Sequence, residues 1–148
     1  MKSANFYRTT AWRYCSRSIL LHHSFKSNGE QCVKCCTCNK VMLCKSPDSH
    51  AGHLVKVFNG SAQTNYGTAF DERNIYPQCK QCNWKMGGRE LEMLDFAKTI
   101  HGDDIYDVLK QVNRERHTMN KADLQEQRDK WKKRFEELVS EKGNPWKK

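Results

Sequence analysis

Two pairs of cysteines, each pair spaced by two residues, set the tightest limit on how this chain folds. Cys35-Cys36-Thr37-Cys38 and Cys79-Lys80-Gln81-Cys82 each supply half of a four-thiolate shell, and together they close a tetrahedral Zn²⁺ site. Unrelated thiols are the competing reading, and the matched spacing favours metal. Cys32, three residues before Cys35, offers a second register for the first pair. Cys35 is preferred because Cys38-Asn39-Lys40 turns tightly into the strand-like Val41-Met42-Leu43, and such a turn aims backbone N–H groups at thiolate sulfurs. Cys15, Cys32, Cys36 and Cys44 are then expected to be free thiols.

An even count of eight cysteines also fits a disulfide framework. Met1-Lys2-Ser3-Ala4-Asn5 leads into polar and aromatic residues with no apolar signal stretch, so the expectation is a reducing, cytoplasmic setting. Ile19-Leu20-Leu21 is too short an apolar run to span a membrane. The hydrophobic share is 37% and the mean hydropathy −0.91, which predicts a small core that a structural metal would reinforce.

The net charge of +9 favours a polyanionic partner, nucleic acid before membrane, over the alternative of solubility alone. The excess sits at the two ends, while residues 32–113 are almost balanced. We therefore divide the chain into a basic N-terminal helical arm (1–31), a zinc-bound core (32–100) and a basic C-terminal helical extension (101–148). Positive arms around a neutral centre suit a grip on a phosphate backbone. The fold class expected is α+β.

Along the chain, residues 5–25 read as a helix, with Phe6, Trp12, Ile19 and Leu20 as its apolar points, and Ser27-Asn28-Gly29 as the turn that ends it. His53–Phe58 reads as a strand. The segment from Asn59-Gly60-Ser61 to Tyr66-Gly67 reads as a polar loop. A helix is expected from near Cys82, interrupted or strained at Gly87-Gly88 and continuing from Glu90 to Ile100, with His101-Gly102 as its stop. A short amphipathic helix follows over Asp103–Asn113. A last helix is capped by Asn120 and carries a stripe of Leu124, Trp131, Phe135, Leu138 and Val139. The tail from Gly143 is expected to fray.

Between the cysteine pairs lie the residue types of phosphodiester hydrolysis, which needs a base for water and a cation for the phosphate. His50-Ala51-Gly52-His53, Phe70-Asp71-Glu72-Arg73-Asn74, Gln78-Cys79-x-x-Cys82-Asn83 and Gly87-Gly88 together resemble the phage NinG/Rap-type recombination nucleases, within the HNH (His-Me finger) endonucleases. The likeness runs over about residues 12 to 139 and is strongest across 35–88. It implies a small zinc-stapled ββα-metal core flanked by helices, and an enzyme that cleaves branched DNA, Holliday junctions included, in the cytoplasm of a phage host; symmetric cutting of both strands of a junction would call for a homodimer. Carried over by position, His53 is the general base, Asn74 orients the loop and base, and Asn83 is a ligand of a catalytic Mg²⁺ or Mn²⁺. Cys35, Cys38, Cys79 and Cys82 hold structural zinc. Gly52 departs from the HNH pattern, which has a metal-binding Asp or His there; His50, or Asp48, is the substitute. Lys85, Arg89, Lys132, Lys133 and Arg134 are candidate DNA contacts. The other readings are a homing or packaging-associated nicking enzyme, and a zinc-ribbon protein that binds DNA without cutting it.

Overall fold

A computed structural model describes residues 1, 3–58, 64–115 and 118–147. The expected helix over 5–25 is two: α1 (Ser3–Tyr7) and α2 (Thr10–His22). The break falls at Arg8-Thr9, where the Thr9 side chain caps α2 by accepting from the Trp12 N–H at 3.2 Å. Phe25 already belongs to β1 (Phe25–Ser27), which pairs antiparallel with β2 (Glu30–Lys34) around Asn28-Gly29. Both turn residues have positive φ, 51° and 77°, as a two-residue hairpin turn requires. β3 (Val41–Leu43) completes a three-stranded sheet.

A second, two-stranded sheet joins β4 (Ser49–His53) to β5 (Ile75–Cys79), with His50 opposite Gln78 and His53 opposite Ile75. The strand thus ends at His53 instead of starting there. Its expected continuation, Leu54–Phe58, bends around Asn74, whose backbone oxygen accepts from the Leu54 N–H at 2.9 Å. The Asn74 side chain bonds both polar groups of Val55, so a distant amide overrides the strand propensity of the run. Leu54, Val55 and Val57 still reach the core, as their apolarity demands. Of the polar loop expected to follow, 59–63 lie outside the described residues.

After β5, a single π-wound turn spans Gln81–Lys85 and stops. Gly87 and Gly88 (φ 65° and 90°) and Arg89 in the left-handed region (φ 47°) break the chain before α3 (Glu90–His101) begins. α4 (Ile105–Arg114) and α5 (Lys121–Lys142) follow; Asn120 and Asp123 form a reciprocal capping box at the start of α5. The stripe on α5 docks on α2 within the same chain. The tail is held down: Trp146 packs on Phe135 at 6.0 Å, and the Arg17 guanidinium lies 5.1 Å from its ring centre.

The molecule is α+β with a four-cysteine cluster. Its largest core cluster joins Phe6, Trp12 and Ile19 to Val57, Phe70 and Ile75 and to Trp131. The arm, centre and extension of the sequence division therefore share one interior. No helix among the described residues is long and apolar enough to cross a membrane.

Candidate functional site

The two knuckles meet. The sulfurs of Cys35, Cys38, Cys79 and Cys82 all lie within 4.8 Å of one another. Cys38 and Cys79 are 3.8 Å apart, and four sulfurs about 2.3 Å from one Zn²⁺ stand about 3.8 Å from each other. The donor set and its spacing therefore fit a structural zinc ion. The first knuckle is turned by Asn39 (φ 65°), whose N–H donates to the Cys35 oxygen at 3.0 Å, and the Cys35 N–H donates to the Lys40 oxygen at 2.8 Å. Cys35, not Cys32, completes the set; Cys32 is buried in β2 opposite Leu43.

Groups around the sulfurs suit thiolates. The Cys82 N–H donates to Cys79 Sγ at 3.4 Å, the Thr37 hydroxyl is 3.3 Å from Cys35 Sγ, and Arg89 Nη1 is 3.8 Å from Cys82 Sγ. Burial opposes ionisation of Cys35, but hydrogen bonds from the Thr37 hydroxyl and the nearby backbone outweigh it and bring the thiol down to about 6. Burial raises Cys38 to about 12 and also raises Cys79, so a bound dication would have to drive off their protons.

Beside the cluster opens a cleft of about 710 Å³ that brings together His50, His53 and Asn83, with Trp84 on its rim and Tyr7, Trp12 and Phe58 along one wall. His53 Nε2–H donates to the Ala69 oxygen at 2.9 Å, which leaves Nδ1 as the bare lone pair. Its ring stacks on Trp12 with centres 4.9 Å apart and planes 25° from parallel. Burial pushes the imidazole down to about 4, against the pull of the Ala69 carbonyl, so His53 is neutral at pH 7.

Asn74 is fully buried, with its Oδ1 accepting from the Val55 N–H (2.7 Å) and its Nδ2 donating to the Val55 (2.9 Å) and Thr68 (3.2 Å) oxygens. It thereby fixes both the bend that follows His53 and the loop whose Ala69 holds the ring. His50 Nε2–H donates to the Pro47 oxygen at 3.1 Å, and its Nδ1 accepts from Asn83 Nδ2 at 3.1 Å. Burial, then the charge of Lys80, lowers its pKa.

Gly52 has no room for a larger residue. A β-carbon there would overlap Gln78 Oε1 and stand 3.2 Å from Asn83 Oδ1. Gln78 is completely buried and donates to the Gly88 oxygen (2.6 Å) and the Thr37 hydroxyl (3.3 Å), tying the hairpin to both knuckles. Asp48 pairs with Lys40 at 3.3 Å, and among the described residues no carboxylate lines the cleft.

The basic residues differ in setting. Arg89 is spent on Cys82 and on Glu92 at 3.7 Å. Lys85 is exposed beside the cleft. On α5, Lys132 pairs with Glu136, and Arg134 with Glu137 and the His22 ring; Lys133 is exposed, and none of the three lines the cleft. Gln78, Trp12 and Trp84 escaped the sequence reading as site residues. The buried polar residue directly before Cys79 and the tryptophan directly after Asn83 were the available signals.

Comparisons with protein-family models, curated proteins and solved structures found no match to this chain.

Proposed function

We propose that the chain is a metal-dependent DNA endonuclease of the HNH type, structure-directed on branched DNA in phage recombination. The observation that carries this reading is the shared cleft of His53, His50 and Asn83 built directly on the cysteine-stapled hairpin. A hairpin followed by a short helix that presents Asn83 has the order of a ββα-metal core. Zinc in the cysteine cluster would hold the helix against the hairpin.

His53 acts as the general base. Its Nε2–H is fixed by Ala69, and its bare Nδ1 takes the proton of the attacking water. A depressed pKa keeps that lone pair free down to mildly acidic pH, and Asn74 holds both segments that orient the ring. His50 Nδ1 and Asn83 would hold the catalytic Mg²⁺ or Mn²⁺. The two side chains are hydrogen-bonded to each other at 3.1 Å, so Asn83 would have to turn its oxygen towards such an ion to serve it. Such a cation neutralises the phosphate and the leaving oxygen. His50 and Asn83 are neutral donors, so the negative charge around such an ion would have to come from the DNA phosphate.

The test is incubation of wild type and His53→Ala with a labelled four-way junction and a matched linear duplex, with Mg²⁺ or Mn²⁺. Paired nicks at the junction by wild type alone are expected, and symmetric cutting would call for a homodimer. Equal cutting of linear duplex would favour a homing or packaging-associated nicking enzyme. Binding without cleavage would leave a zinc-stapled DNA-binding protein.

A further inference from the structure

We infer that Trp84 is a stacking platform for an unpaired DNA base at the rim of the His50–His53–Asn83 cleft; the choice of DNA as ligand rests on the nuclease reading above. Trp84 is 65% exposed, whereas Trp12 and Trp131 are buried and Trp146 is packed on Phe135. Tryptophan is among the side chains most enriched where proteins bind their partners, and this one is offered to solvent at the cleft. Trp84 follows Cys82 by two residues on the π-wound turn, so the cysteine cluster fixes its position. The winding of that turn, rare elsewhere, recurs at functional sites.

The surroundings select the occupant. Among the described residues the cleft lining contains no Asp or Glu, and it includes Lys56. The Lys80 ammonium lies 5.1 Å from the Trp84 ring centre, and Lys85 is exposed next to it. The nearest acids along the chain, Glu90 and Glu92, are engaged by the Tyr106 hydroxyl at 3.0 Å and by Arg89 at 3.7 Å. Gly87 and Gly88 have nothing within 4 Å of where a β-carbon would stand, so a strand can lie close to the backbone beside the indole.

Lys80 lies over one side of the ring, so a nucleobase would stack on the other side or displace the ammonium towards its phosphate, and every base has a face to offer. In continuous duplex those faces are hidden by stacking. Trp84 therefore discriminates for strands with unpaired bases, as at the crossover of a branched molecule, and the His50 ring at 5.1 Å puts that base next to the proposed metal ligands.

Fluorescence anisotropy tests this without added divalent cation, so that no strand is cut. The probes are a labelled single-stranded oligonucleotide and the fully paired duplex of the same sequence, with wild type, Trp84→Ala and Trp84→Phe. Trp84→Ala should weaken single-strand binding roughly tenfold or more while leaving duplex binding nearly unchanged, and Trp84→Phe should restore most of the loss. Equal weakening of both probes, or of neither, overturns the stacking role.

A fluorescent adenine analogue in the single strand gives a second reading on wild type alone, in case Trp84→Ala loses its zinc. Quenching on binding supports stacking, and unchanged emission overturns it. A protein that binds single strands through Trp84 but never cuts would keep this inference and end the nuclease reading. Junction cleavage by a protein whose single-strand binding ignores Trp84→Ala would do the reverse.

Discussion

The cysteine cluster and the histidine cleft grow from the same hairpin, yet they are finished to different degrees. In the cluster every ligand comes from the chain, and its sulfurs are served by backbone N–H groups, a hydroxyl and Arg89. In the cleft two neutral side chains bond to each other, a third keeps a bare lone pair, and no carboxylate stands among the described lining residues. A closed set of four ligands is how a structural metal is held, whereas an open set waits for substrate. The contrast predicts that metal in the cluster governs folding and that changes in the cleft govern chemistry.

The largest effect should come from the cluster. Removing zinc with a chelator, or replacing Cys82 by Ser, should cost roughly 5 kcal/mol or more, because binding energy at such a site is folding energy. Loss of the cooperative thermal transition, followed by circular dichroism, is the expected result. An unchanged transition in metal-free protein would break the comparison at its first half.

Asn74→Ala should come next, since it strands the buried polar groups of Val55 and Thr68. A loss of about 2–4 kcal/mol in urea unfolding is expected, with zinc content unchanged. Asn74 should therefore behave as part of the scaffold of His53, and its loss should lower stability and any cleavage together. His53→Ala should also cost some stability, because the ring stacks on Trp12 and bonds the Ala69 oxygen, but its larger effect should be on cleavage, about 10²-fold or more.

What could be read from the sequence divides along the same line. Local chemistry was legible. The cysteine spacing located the cluster, Asn28-Gly29 marked a turn (though as a helix end, not the hairpin it makes), and Asn120 with Asp123 marked the cap of α5. Contacts between distant residues were not. Leu54–Phe58 has strand composition, and only the Asn74 amide nearly twenty positions later turns it into a bend. Trp12 looked like one apolar point on a helix, and only tertiary packing makes it the stacking partner of His53. The tail carried turn and charge signals, but Arg17 and Phe135 hold Trp146 down from elsewhere in the chain. Gly52 was a gap in a ligand pattern until Gln78 supplied the reason that nothing larger fits.

Acid should destabilise the fold more gently than the loss of zinc or of Asn74, through one ring of the cleft and one outside both regions. His53 is held down to about 4 by burial, and His23 likewise by burial, then by His22, Lys142 and His101. Both native pKa values lie below the ordinary 6.5, so the unfolded chain takes up protons between pH 6.5 and 4 that the folded chain refuses. Stability is therefore full above about pH 6.5 and falls as pH drops towards 4, by about 1–2 kcal/mol for each histidine at pH 5. Urea midpoints at pH 7 and pH 5 measure the drop, and His23→Gln should remove about half of it. Equal midpoints at the two pH values would mean that neither ring is desolvated in solution.

The smallest effect sharpens the boundary of the cluster itself. Cys32 and Cys35 are both buried, both three-residue neighbours of a cysteine, and either could have completed the first knuckle by spacing alone. The strand register separates them: Cys32 faces Leu43 inside the three-stranded sheet, while Cys35 sits where the chain leaves β2 for the turn at Asn39. Cys32→Ser should leave one zinc per chain and cost only about 1 kcal/mol, the penalty of a hydroxyl in place of a small buried thiol. Cys35→Ser should abolish tight zinc binding. Zinc content by mass spectrometry of the two purified variants decides the matter: retention by Cys35→Ser and loss by Cys32→Ser would reverse the ligand assignment and put Cys32 in the place of Cys35 beside Cys38.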